Sequence, residues 1–156
     1  MGFRTQVKTL LEMIKFEHTV FALPFAYMGM ILGAGGLPSF ATFLLITLAM
    51  VGARTYAMAI NRLQDRHIDK KNPRTRDRAL PRGTVTPAEA WILCGFALVL
   101  FFAAVLFLPS LCRKLWPAVL IPMTFYSLTK RFTWTSHVVL GVCLGMAPLG
   151  LSLIHI

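Results

Sequence analysis

Residues 40–60 read FATFLLITLAMVGARTYAMAI, and residues 61–69 continue as NRLQDRHID. The first stretch holds one charge, Arg54, and has the length of a bilayer-crossing helix, roughly 20 residues at 1.5 Å each. The second holds four charges, Arg62, Asp65, Arg66 and Asp69, in nine residues. Such a junction marks the membrane surface. Asn61, Asp65 and Asp69 recur at i, i+4 and i+8, so a helix running on past the surface stacks them on one face. Arg54 and Met58 join the same stripe, because seven residues make nearly two turns. The stripe runs from a cation inside the span to a pair of carboxylates at its mouth.

The rest of the chain repeats the pattern of apolar spans and basic connections. Of 156 residues, 56% are hydrophobic and only 14% charged, with a mean hydropathy of +0.67; a soluble domain carries about 25% charged residues. We expect an all-α, multi-pass transmembrane helical bundle with about five helices. Residues 1–18 read as an interfacial lead-in, with spans near 19–35, 40–60, 88–108, 116–129 and 136–156 and a polar loop over 61–86. Thr86-Pro87-Ala88-Glu89 supplies an N-cap, a proline at N1 and a glutamate at N3, a capping box that starts the third span. Gly29-x3-Gly33 and Gly141-x3-Gly145 suggest close helix packing. No small-residue cleavage site follows the first apolar run, so it reads as a retained helix. Cys94, Cys112 and Cys143 have neither metal-ligand nor disulfide spacing.

The net charge of +10 raises nucleic-acid binding as a reading, but the basic residues sit between spans and no nucleic-acid-binding motif accompanies them. They follow the positive-inside pattern instead. Three precede the first span, eight follow the second and two follow the fourth, so 13 of the 16 Lys and Arg fall on one side. The N-terminus and the 61–86 loop are therefore expected in the cytoplasm, with the chain in a bacterial inner membrane.

Two carboxylates on one helix face repel unless a cation joins them. Mg²⁺ suits them: it takes oxygen ligands and binds through one or two carboxylates plus substrate phosphates. Asn61 adds an amide oxygen, and the nearby Arg and Lys suit diphosphate oxygens. The competing reading is a solvated loop in which Asp65 pairs with Arg62 or Arg66; Asp77, between Arg76 and Arg78, reads as a local ion pair. Arg54 is either a functional intramembrane charge or one that snorkels to the nearby interface. Tyr126 and Lys130, four apart, are either a phosphate-binding pair or an interfacial anchor. His67 lies off the carboxylate face and reads as solvated.

The stretch Asn61 to Asp69, followed by Lys70-Lys71-Asn72-Pro73-Arg74-Thr75 and Leu80-Pro81-Arg82-Gly83, closely resembles the first aspartate-rich motif of the UbiA family of intramembrane prenyltransferases. Lys15 to Tyr27 is similar to that family's first helix, and Tyr126 to Arg131 to its Tyr-x3-Lys segment. The resemblance covers nearly the whole chain. It implies a fold of about nine transmembrane helices around a cavity, with Mg²⁺ held by two aspartate-rich motifs. It further implies that Asp65 and Asp69, supported by Asn61, are the catalytic and metal-binding residues. Lys130 and Tyr126 would contact the diphosphate, and Arg54 and Arg66 join them on the reading of the charges given above. The substrates implied are a polyprenyl diphosphate and an aromatic acid such as 4-hydroxybenzoate, in ubiquinone or menaquinone biosynthesis. The chain departs from the pattern in length: no acidic residue follows Glu89, so the second motif is missing, and we expect an N-terminal fragment that is inactive alone. The alternative function is a non-catalytic membrane fragment, or a small membrane carrier or assembly protein.

Overall fold

The structure is a computed structural model that describes residues 3–34, 36–108 and 110–132. Among them are five helices, α1 (Phe3–Met13), α2 (Phe16–Ala34), α3 (Phe40–Lys71), α4 (Pro87–Leu106) and α5 (Ser110–Phe132), and no strand. The expected span over 136–156 lies outside the described residues. The multi-pass helical bundle read from the sequence is what forms. α3 and α4 are long and apolar enough to cross a membrane, and the apolar part of α2, Phe16–Leu32, is shorter.

α3 and α4 form the main seam. Ala90, Cys94, Ala97, Phe101 and Ala104 of α4 are buried at spacings of four, three, four and three, one continuous stripe. They meet Ala53, Tyr56, Ile60 and Leu63 of α3, also buried and spaced three, four and three. Most of these side chains are small, as suits helices that pack without help from water. At Gly52 the helices come so close that a Cβ would sit 2.8 Å from the Phe101 nitrogen and 2.9 Å from the Ala97 carbonyl oxygen. The outer faces carry large apolar side chains, such as Phe21 at 78% exposure, Phe40 at 79% and Ile92 at 72%. On a soluble protein these would be a liability; apolar outer faces are the expected surface of a membrane bundle.

α2 packs on the N-terminal half of α3 through Tyr27, whose ring stacks on Phe43 at 4.6 Å and whose hydroxyl meets Thr47 Oγ1 at 3.0 Å. Between α1 and α2, Lys15 takes a left-handed φ of 50°, and Met13 and Ile14 enter the core. The capping box forms as expected: Thr86 Oγ1 accepts from the Glu89 N–H, and the Glu89 carboxylate accepts from the Thr86 N–H. Gln6 of α1 donates to the same carboxylate.

Two boundaries differ from the expected ones. α3 continues to Lys71, so the first eleven residues of the 61–86 loop are helical; Ala57 to Lys71 contains no proline or glycine to stop it. α5 begins at Ser110 rather than near Trp116 and passes through Pro117 and Pro122, because a proline inside a packed membrane helix gives up one backbone bond that neighbours can replace.

Candidate functional site

Continuity of α3 places Asn61, Asp65 and Asp69 on successive turns of one helix, hence on one face. Asn61 and Asp65 are half-buried, and Asp69, in the last turn, is buried. The chain then folds back on the helix end. The Asn72 N–H and the Thr75 hydroxyl both donate to the Asp69 carbonyl, at 3.3 and 3.0 Å, and the Arg74 N–H donates to Asn72 Oδ1 at 3.0 Å. The Leu80-Pro81-Arg82-Gly83 turn closes with the Gly83 N–H on the Leu80 carbonyl at 3.1 Å. Gly83 has φ +75°, a conformation that favours glycine. Leu80 and Val85 drop into the core on either side of this turn.

This fold-back delivers Arg78 to Asp69. Arg78 Nη1 donates to both carboxylate oxygens, at 2.9 and 2.7 Å. The local ion pair expected at Asp77 is thereby corrected. Asp77 is exposed and makes no ion pair among the described residues, because the turn commits Arg78 to Asp69 instead. Arg62 is buried, donates from Nε to the Met13 carbonyl at 3.4 Å, and lies in the fields of Asp65, Asp69 and Arg78. Arg66 is half-buried, and its Nε donates to Nε2 of the exposed His67 at 3.0 Å. Arg54, lower on α3, is half-buried. Its Nε is buried without a hydrogen-bond partner among the described residues.

Sequence reading missed a polar node between α3 and α5. The Thr124 hydroxyl donates to the Leu120 carbonyl at 2.8 Å, so the Tyr56 hydroxyl, 2.8 Å away, is the donor to Thr124 Oγ1. Gln64 Nε2 donates to the Thr124 carbonyl at 3.1 Å. Gln64 precedes Asp65, so this node fixes α5 against the helix that carries the carboxylates. Tyr126 and Lys130 lie in α5, but their side chains are outside the described ones. The signal available in the sequence was Gln64 itself, an amide within the carboxylate stretch.

The donor chemistry fits a hard divalent cation. Asn61, Asp65 and Asp69 offer only oxygen ligands, as Mg²⁺ prefers. Among the described residues no group of three or more His, Cys, Asp and Glu side chains is placed to hold a metal. Mg²⁺ usually binds through one or two carboxylates plus substrate phosphates, and Asp65 and Asp69 are two carboxylates on one helix face.

A model of the UbiA prenyltransferase family matches residues 22–154. The 4-hydroxybenzoate octaprenyltransferase of Haemophilus ducreyi is 36% identical over 73% of this chain and 41% of its own length. That of Shewanella loihica is 32% identical over 91% of this chain and 51% of its own. Among solved structures, a UbiA homolog from Aeropyrum pernix K1 aligns with TM-score 0.82 and 37% identity, covering 89% of this chain and 50% of that one. A structure of digeranylgeranylglyceryl phosphate synthase aligns with TM-score 0.87 at 20% identity, over 96% of this chain and 53% of that one; this last likeness is one of fold. The chain spans about half the length of the curated relatives it matches.

Proposed function

The chain belongs to the UbiA prenyltransferase family, and from that premise we propose that the complete protein transfers a polyprenyl group from its diphosphate to an aromatic acid such as 4-hydroxybenzoate, inside the membrane and with Mg²⁺. The observation that carries this reading is the ladder of Asn61, Asp65 and Asp69 on the unbroken end of α3, an oxygen-rich face beside basic side chains. The curated relatives named above are 4-hydroxybenzoate octaprenyltransferases, which favours that acceptor and a place in quinone biosynthesis.

Asp65 and Asp69 would hold the metal, with Asn61 as a supporting amide. When bound, Mg²⁺ supplies the positive charge that takes up the negative charge of the departing diphosphate. Arg54, Arg66, Tyr126 and Lys130 would orient the diphosphate oxygens, which also act as acceptors for charge-assisted hydrogen bonds. Charges fixed before the reaction would spare solvent from reorganising as charge separates. The apolar helices exclude water from the reacting carbon. We place the carboxylate end of α3 on the cytoplasmic side of a bacterial inner membrane, an orientation that the surplus of Lys and Arg on one side supports. We assign this segment one of the two aspartate-rich motifs that the resemblance implies.

The test is prenyl transfer to 4-hydroxybenzoate by the complete protein in membranes, with Asp65→Asn and Asp69→Asn as variants. We expect each to lose at least about 100-fold in rate, the scale of several kcal/mol of charge stabilisation. Near-normal transfer by both variants would sink the site assignment.

A further inference from the structure

Asp69 is 7% exposed, and both of its oxygens already face one cation, Arg78 Nη1 at 2.9 and 2.7 Å. The segment that brings Arg78 is held at both ends. Thr75 is buried and bonded to the Asp69 carbonyl, and Val85 is 1% exposed in the core. The guanidinium is therefore presented by an ordered turn. Only one of its nitrogens makes the pair; Nε and Nη2 donate to nothing among the described residues, and the side chain is 35% exposed. Arg62 lies near the same carboxylates. Asp69 thus stands between two guanidinium groups, and its charge is met before any ligand arrives.

A divalent cation on Asp69 would bind an oxygen to which Arg78 already donates. The cation alone would enter beside two guanidinium groups, and like charges at such distances repel. A metal–diphosphate complex carries net negative charge and offers Arg78 a new set of acceptor oxygens. We propose that Arg78 is a positioning residue that neutralises Asp69 in the empty site, yields the carboxylate to the metal, and then binds the phosphate oxygens that arrive with it. Metal uptake thereby depends on diphosphate, and the site loads the metal as its diphosphate complex. This inference rests on the prenyl-diphosphate reading above and assigns it a residue outside the Asn61–Asp69 ladder.

The experiment measures binding of Mn²⁺, in place of Mg²⁺, to the complete protein in nanodiscs by electron paramagnetic resonance, with and without inorganic pyrophosphate. In Arg78→Gln, Mn²⁺ alone should bind about fivefold tighter and Mn²⁺–pyrophosphate about fivefold weaker, the scale of one partly exposed ion pair. The coupling between metal and pyrophosphate then shrinks by the product of the two. Arg78→Lys keeps the charge, and with it the turn. It should move both affinities in the same directions by about twofold, and it decides the matter if the glutamine variant does not fold. Mn²⁺ binding alone that is unchanged or weaker in the folded variant would mean that the pair is structural only, and would overturn the proposal. If the unsubstituted protein binds no Mn²⁺ with or without pyrophosphate, the metal-dependent reading itself fails and takes this proposal with it.

Discussion

Gly52 of α3 lies against the backbone of Phe101 in α4, with room for a hydrogen but not for a methyl group: a Cβ would be 2.8 Å from the Phe101 nitrogen and 3.1 Å from its Cα. Backbone atoms of a packed helix cannot swing aside as a side-chain tip can. Gly52→Ala should therefore force α3 and α4 apart and lower stability by about 1 to 3 kcal/mol, the cost of overpacking. Thermal unfolding in detergent measures this. Trimming Phe101 to Ala should not restore the loss, because the clash is with the main chain. A rescue by that second change would show the contact to be with the ring instead.

Tyr56, Gln64 and Thr124 carry polar contacts between α3 and α5. Hydrogen bonds between membrane helices average about 0.6 kcal/mol and reach about 1.7. Tyr56→Phe and Thr124→Val should each cost an amount in that range, and the double variant should cost less than their sum, since both remove one bond. A double-mutant cycle on unfolding free energy measures the coupling. Strict additivity would mean that the two hydroxyls contribute separately.

How legible these features were in the sequence depends on the interaction involved. The membrane bundle was readable because the apolar runs of α3 and α4 are long and their ends are marked, by Asn61 on one side and by Thr86-Pro87-Ala88-Glu89 on the other. The carboxylate ladder was readable because i, i+4 spacing is local to one helix. Family membership was readable in the Asn61 to Gly83 stretch. The Arg78–Asp69 pair was not, since Asp77 is adjacent to Arg78 and proximity in sequence favoured it; the fold-back set by Asn72, Thr75 and Gly83 decides otherwise. The close approach at Gly52 involves a lone glycine whose partner is backbone from another helix. No pattern within α3 encodes that. The Thr124 node likewise joins residues 60 and 68 positions apart.

Arg54 tests the difference between an anchor and a ligand. Its Nε is buried with no hydrogen-bond partner among the described residues, and an unsatisfied buried donor costs about 1 to 3 kcal/mol. A residue kept only for snorkelling would place its polar atoms in water, whereas one kept for a ligand tolerates the cost while the ligand is absent. Its Cα is about 10 Å below that of Asn61 along α3, at 1.5 Å per residue, near enough for its side chain to reach an anion held at the ladder. Arg54→Met preserves the apolar stem and removes the orphaned donor. Unfolding of the ligand-free variant should occur at the same temperature or higher, while in the complete protein KM for the proposed prenyl diphosphate substrate should rise about tenfold or more, the worth of one charge-assisted hydrogen bond. Stability kept or raised together with a higher KM would assign Arg54 to the substrate. A loss of stability with KM unchanged would assign it to the membrane interface.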